Sequence, residues 1–278
     1  MNKNSLPFFS LIRPARLGLA FVGTAVACCT SVYGGGGAIV VDNDEWTLSD
    51  SGYANAGGNN AATYALNAAS FLTGGSGNIL IDSGNFGLAG NDLFSTLTTG
   101  GYSVTENPGF TPFTLAGLSA YKAVFLGGNY LPSDYVSVLT AYVNAGGGVY
   151  IAEGTGDISP EGQYWNSFLN PFGFTTGPDY NGIGGNIAVV SSSPVLAGVN
   201  QLFYDNGDTV YASPGTQIYS GTAQVITYAG DAGLIGTYFS SASVPDETST
   251  LFLTGLSLAL LGFGVRHFRR SSSKAARV

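Results

Sequence analysis

Between Ala38 and Ser240 this chain has no cysteine, no histidine, no arginine and a single lysine, Lys122. The one histidine, His267, lies near the C-terminus with Arg266, Arg269, Arg270, Lys274 and Arg277. Lys3, Arg13 and Arg16 lie near the N-terminus, as do both cysteines, Cys28 and Cys29. A central region without thiol or imidazole cannot activate a Ser or Cys nucleophile in the usual way and has no redox dithiol. It carries fifteen Asp and Glu against one Lys, a formal charge of −14, so it repels nucleic acid, and no nucleic-acid partner is expected. Strings such as Gly154-Thr155-Gly156 are commonplace among 42 glycines, and the lysine of a phosphate-cradling loop is missing.

Charged residues are 9% of the chain and hydrophobic residues 45%. Solubility therefore rests on Ser, Thr, Asn and backbone polarity, and the apolar content is enough to build a core. The central part, about 200 residues, suits one domain.

The two ends read as targeting segments. Lys3, Arg13 and Arg16 precede an apolar stretch from Leu17 to Cys29, and Ala25-Val26-Ala27 offers a small-x-small cleavage site, so residues 1–27 are expected to be a signal peptide. Cys28 is either a lipidation site or an incidental residue beside that cleavage site. Residues 28–37, with Gly34 to Gly37, form a flexible linker. At the other end Thr248 to Val265 is an uncharged run of 18 residues, slightly short of the ~20 that cross a bilayer. Arg266, Arg269 and Arg270 follow at once and place that end in the cytoplasm by the positive-inside rule.

Val244-Pro245-Asp246, Ser249-Thr250, the apolar stretch and the Arg cluster together resemble a PEP-CTERM sorting signal of the VPDSG type over residues 241–278. Glu247-Thr248 stands where that pattern has Ser-Gly, and Ser271 to Val278 prolong the tail. The resemblance implies an exosortase as processing partner, passage through the inner membrane, and release to the cell surface or extracellular matrix. A plain single-span anchor is the alternative.

Within residues 38–240 the apolar pattern alternates between strands and helices. Ile39 to Val41, Asn78 to Asp82, Tyr102 to Thr105, Tyr121 to Leu126 and Val149 to Ala152 read as strands. Ala61 to Leu72, Asp92 to Leu97 and a segment opening at Ser133 and closing before Gly146 read as helices, with a further one through Tyr164, Trp165, Phe168 and Leu169. Such βαβ units require a parallel sheet, so the expected fold is α/β, a flavodoxin-like doubly wound core. Ile187 to Val190, Thr209 to Tyr211, Gln224 to Tyr228 and Leu234 to Phe239 predict a β-rich C-terminal extension.

The segment from Leu118 to Gly156, LSAYKAVFLGG through YVNAGGGVYIAEGTG, is similar to the class I glutamine amidotransferase-like superfamily. Where that family presents its nucleophilic Cys after the strand, this chain has Glu153-Gly154-Thr155. The resemblance therefore implies the fold without the amidase.

Ligands of open α/β sheets bind beyond the carboxyl ends of the strands, which selects Asp82, Ser83 and Asn85, then Asn129, then Glu153 and Thr155 as a polar rim. The same Gly and Asn residues also serve tight turns. Asp82 with Glu153 could supply the two carboxylates of glycan hydrolysis. Asp42, Asp44, Glu45 and Asp50, with Asp205 and Asp208, are candidate calcium ligands, although they follow no twelve-residue loop pattern, and solvated acidic loops explain them equally. The leading expectation is a non-catalytic exported domain that binds extracellular polysaccharide, cations or another surface protein; the alternative is a secreted carboxylate-dependent glycan hydrolase.

Overall fold

The computed structural model describes residues 36–128, 132–154 and 161–241. The signal-peptide and sorting-tail readings, including the apolar run 248–265, lie outside the described residues, as do Asn129 and Thr155.

In chain order the elements are β1 (Ala38–Asp42), α1 (Asp50–Ala56), α2 (Asn60–Thr73), β2 (Asn78–Asp82), α3 (Asn91–Thr99), β3 (Ser103–Glu106), α4 (Leu115–Leu118), β4 (Ala123–Gly127), α5 (Ser133–Asn144), β5 (Gly148–Ala152) and α6 (Glu161–Leu169). They continue with β6 (Phe174–Thr176), β7 (Gly184–Ala188), β8 (Gln201–Asp205), β9 (Val210–Ala212), β10 (Gly221–Ala229) and β11 (Ala232–Ser240). A short 3-10 turn, Glu45–Leu48, links β1 to α1.

The protein is an α/β fold with a mainly parallel central sheet. Seven strands run in the order β10-β11-β1-β5-β4-β2-β3; β1 to β5 are mutually parallel, and β11 and β10 add an antiparallel edge beside β1. Two small antiparallel pairs, β6 with β9 and β7 with β8, complete it. The expected β extension is thus partly a sheet edge and partly separate ribbons.

Side chains alternate across the pleat, and both faces are covered, which is why β1 and β5 are buried along their whole length. Val40, Ile79, Ile81, Phe125 and Tyr150 face α2 and α3, whereas Ile39, Val41, Leu80, Val124, Val149 and Ile151 face α4, α5 and α6. Helix α2 sits close because its inward residues include Ala61, Ala65, Ala68 and Ala69. A Cβ on Gly148 would fall 2.5 Å from the Leu72 carbonyl oxygen, so only glycine admits that helix end onto the start of β5.

The acidic stretch after β1 departs from the expected solvated loop. Asp42, Asp44, Glu45 and Asp208 are buried, and α1 follows, capped by the Ser49 hydroxyl, which accepts from the Gly52 N–H at 3.0 Å. Sequence periodicity gave no sign of α1: its run DSGYANA has no apolar repeat, and its register is set by packing on the 3-10 turn. A Cβ on Gly52 would stand 2.1 Å from the Trp46 carbonyl oxygen.

Candidate functional site at the carboxyl edge of the sheet

Asp42 ends β1 and lies wholly inside the protein. Its Oδ2 accepts from the Tyr150 hydroxyl at 3.0 Å, and its Oδ1 accepts from the Thr47 hydroxyl at 3.2 Å and the Asp44 N–H at 3.4 Å. Burial first, and then the charge of Asp44, push its pKa up to about 8, against the pull of the nearby Tyr64 hydroxyl and of the hydrogen bond from Tyr150. At neutral pH this group is mostly a neutral carboxylic acid. The hydroxyls of Tyr64, Tyr150 and Tyr204 are held well above their ordinary range, chiefly by burial and then by the nearby acid.

Asp44 works differently. Its Oδ1 accepts from the Trp46 N–H at 2.9 Å and its Oδ2 from the Asp205 N–H at 2.5 Å, so one buried carboxyl ties the turn after β1 to the end of β8. Burial raises its pKa to about 6, with those amide donors opposing. Asn43 pairs with Asp208: its Nδ2 donates to the Asp208 carbonyl at 2.6 Å, and the Asp208 N–H donates to the Asn43 carbonyl at 2.9 Å. Gly154 and Gly207 both press against that Asn43 carbonyl, where a Cβ would come within 2.8 and 2.2 Å.

Of the rim residues, Asp82 accepts at Oδ1 from the Gly109 and Phe110 N–H groups at 2.7 and 3.0 Å, pinning the loop that follows β3. Ser83 donates to the Gly127 carbonyl at 3.0 Å and so joins the ends of β2 and β4, where the strand order reverses. Asn85 accepts from the Gly87 N–H at 2.7 Å in a tight turn. Glu153 follows β5 and is buried, its N–H bonded to the Asp42 carbonyl at 3.0 Å. Asp82 and Glu153 stand two strands apart with β4 between them, about 10 Å at ~4.8 Å per strand.

No family model, curated protein or solved structure matches this chain. The site is therefore read from its own chemistry. Among the described residues no group of three or more His, Cys, Asp and Glu is arranged to hold a metal ion. Asp42, Asp44 and Asp208 lie near one another through the turn after β1, whereas Asp50 reaches away to accept from the Asp92 N–H at 3.0 Å.

Sequence reasoning missed the partners of this edge. Tyr64 and Tyr150 sit at core spacing on a helix and a strand, and nothing local marks them as the surroundings of an acid. Trp46 likewise has Phe86 and Phe203 as neighbours, with ring centroids at 4.9 and 6.4 Å, from segments about 40 and 157 residues away. At the opposite edge of the sheet, a groove of about 150 Å³ is lined by Leu115, Ser119, Tyr121, Lys122, Tyr142 and Gly146 among others.

Proposed function

We propose that this chain is an exported protein, sorted through its C-terminal tail to the cell surface or extracellular matrix, and that its α/β domain binds a partner there without transforming it. The observation that carries the reading is the tripartite tail: Val244-Pro245-Asp246, the apolar run from Thr248 to Val265, and Arg266, Arg269 and Arg270. The basic-then-apolar leader agrees in topology, with both ends directing the acidic domain across a membrane.

The domain is best read as a variant of the flavodoxin-like order. Strands β3, β2, β4 and β5 follow the 2-1-3-4 arrangement of that fold, and the N-terminal β1 occupies the fifth place. The sequence between Ala38 and Ser240 offers no Cys or His for nucleophilic chemistry. A hydrolase working by carboxylates alone needs an acid and a base that substrate can reach. Asp42 and Glu153 are buried, and Asp82 spends an oxygen on two loop amides, so binding is the better-supported reading.

The test is the mass and location of the mature protein in its native cells, for the parent and for a Pro245→Ala/Asp246→Ala variant. Loss of the apolar tail from the parent alone supports exosortase-type sorting. A membrane-held, uncut protein in both cases overturns it in favour of a plain anchor.

A further inference from the structure

We propose that Trp46, Phe86 and Phe203, together with the carboxylate of Asp205, form a binding platform for a polysaccharide that carries free amino groups. This rests on the reading of the domain as an extracellular binder and names its ligand class.

Three segments distant in sequence build the platform. Trp46 lies in the 3-10 turn after β1, Phe86 in the loop after β2 and Phe203 in β8. Phe86 meets the Trp46 ring edge-on at 66° and Phe203 meets it at 69°. Phe86 is 47% exposed, and Trp46 and Phe203 are half-buried, so all three residues keep some surface in contact with solvent.

The arrangement is held from beneath. The Asp44 carboxyl receives the N–H groups of both Trp46 and Asp205 and so fixes the aromatic centre and the acidic flank to one another. The Asn85–Gly87 turn presses on Glu45, where a Cβ on Gly87 would come within 2.5 Å of the Glu45 carbonyl oxygen; this closeness brings Phe86 over Trp46. In the β7–β8 ribbon Asn186, whose Nδ2 donates to the Asn55 carbonyl at 2.9 Å, is opposite Phe203, and the exposed Gly184 is opposite the exposed Asp205, so a ring and a carboxylate share one face.

Partly exposed aromatic rings clustered beside a carboxylate match a sugar, whose C–H face stacks on a ring while its polar groups take polar neighbours. Charge selects among sugars. The domain carries −14, and Lys122, its only base, lies at the opposite edge of the sheet, so uronate, sulfate or phosphate polymers are repelled. An ammonium group is attracted both to the aromatic faces and to Asp205.

The experiment uses the full chain matured in its native cells and follows Trp fluorescence, since Trp46 is half-buried and Trp165 is wholly buried. The probes are a glucosamine hexasaccharide, its fully N-acetylated counterpart and a cello-hexasaccharide. Saturable binding of the glucosamine oligomer is expected, weakened about tenfold by Phe86→Ala and by Asp205→Asn, and weakened by added salt. Phe86→Ala and Asp205→Asn must keep the parent's unfolding midpoint, which separates loss of the platform from loss of the fold. Equal affinity for all three oligomers with no effect of Asp205→Asn overturns the amino-group selection. Absence of binding to any oligomer, or self-association abolished by Phe86→Ala, overturns the site. A protein that keeps its tail uncut yet binds the glucosamine oligomer sustains this site while sorting fails; a correctly sorted protein that binds none loses this site alone.

Discussion

The Tyr150 hydroxyl donates a 3.0 Å hydrogen bond to Asp42 Oδ2, joining the last residue of β1 to the middle of the strand beside it, deep beneath the carboxyl edge of the sheet. Burial, against the pull of that hydrogen bond, makes Asp42 an acid whose proton belongs to the folded state.

That proton gives stability a definite pH dependence. The pKa of Asp42 rises from 3.8 to about 8 on folding, and that of Asp44 from 3.8 to about 6. Between roughly pH 4 and 8 the native state holds more protons than the unfolded chain, so these groups stabilise fully below pH ~4 and lose that contribution as pH rises through their folded values. Thermal unfolding is expected to show a midpoint that falls from pH 5 to pH 9. Asp42→Asn, which keeps a neutral group in place, should flatten the arm from pH 6 to 9; a midpoint rising with pH through that window would contradict this account.

Replacing Tyr150 by Phe removes the donor and leaves Asp42 Oδ2 short of a partner in a buried place. The expected loss is about 1–3 kcal/mol. Urea denaturation at pH 7 should show the midpoint lowered at unchanged slope. Because this hydrogen bond pulls the acid's pKa downward, the falling arm of the stability profile should also move to higher pH.

Gly207→Ala tests the join between the turn after β1 and the segment after β8. Its Cβ would lie 2.2 Å from the Asn43 carbonyl oxygen and 2.7 Å from Asp44 Cβ, forcing apart the paired Asn43 and Asp208. A cost of about 1–3 kcal/mol is expected from overpacking. Gly215→Ala, where a Cβ meets nothing within 4 Å, should change stability by no more than ~0.5 kcal/mol. Equal effects of the two substitutions would deny the close approach.

Calcium is expected to leave the unfolding midpoint where it is. Asp42 and Asp44 are wholly buried, and both Asp44 oxygens already accept backbone N–H groups, so neither is set out for a hard cation. A rise in midpoint with millimolar calcium, reversed by a chelator, would restore Asp42, Asp44, Glu45, Asp205 and Asp208 as candidate ligands.

The sequence by itself determined the central strands and the helices between them, because β-branched runs such as Ile39-Val40-Val41 and three- and four-residue apolar spacing such as Ala61, Ala65 and Ala68 are local signals. It likewise determined the −14 charge of the central region and the absence there of Cys and His. It left α1 and β8 unmarked, because the first has no apolar period and the second is placed by pairing with β7 and packing on α1 and the 3-10 turn. Only the tertiary structure decided that Asp42 and Asp44 are buried and proton-retaining rather than solvated, since desolvation depends on Tyr64, Tyr150 and Tyr204 arriving from a helix and two strands. Only it brought Trp46, Phe86 and Phe203 together: the first two follow strands β1 and β2 of the central sheet and the third comes from the separate β7–β8 ribbon, a meeting of distant segments that no local pattern encodes.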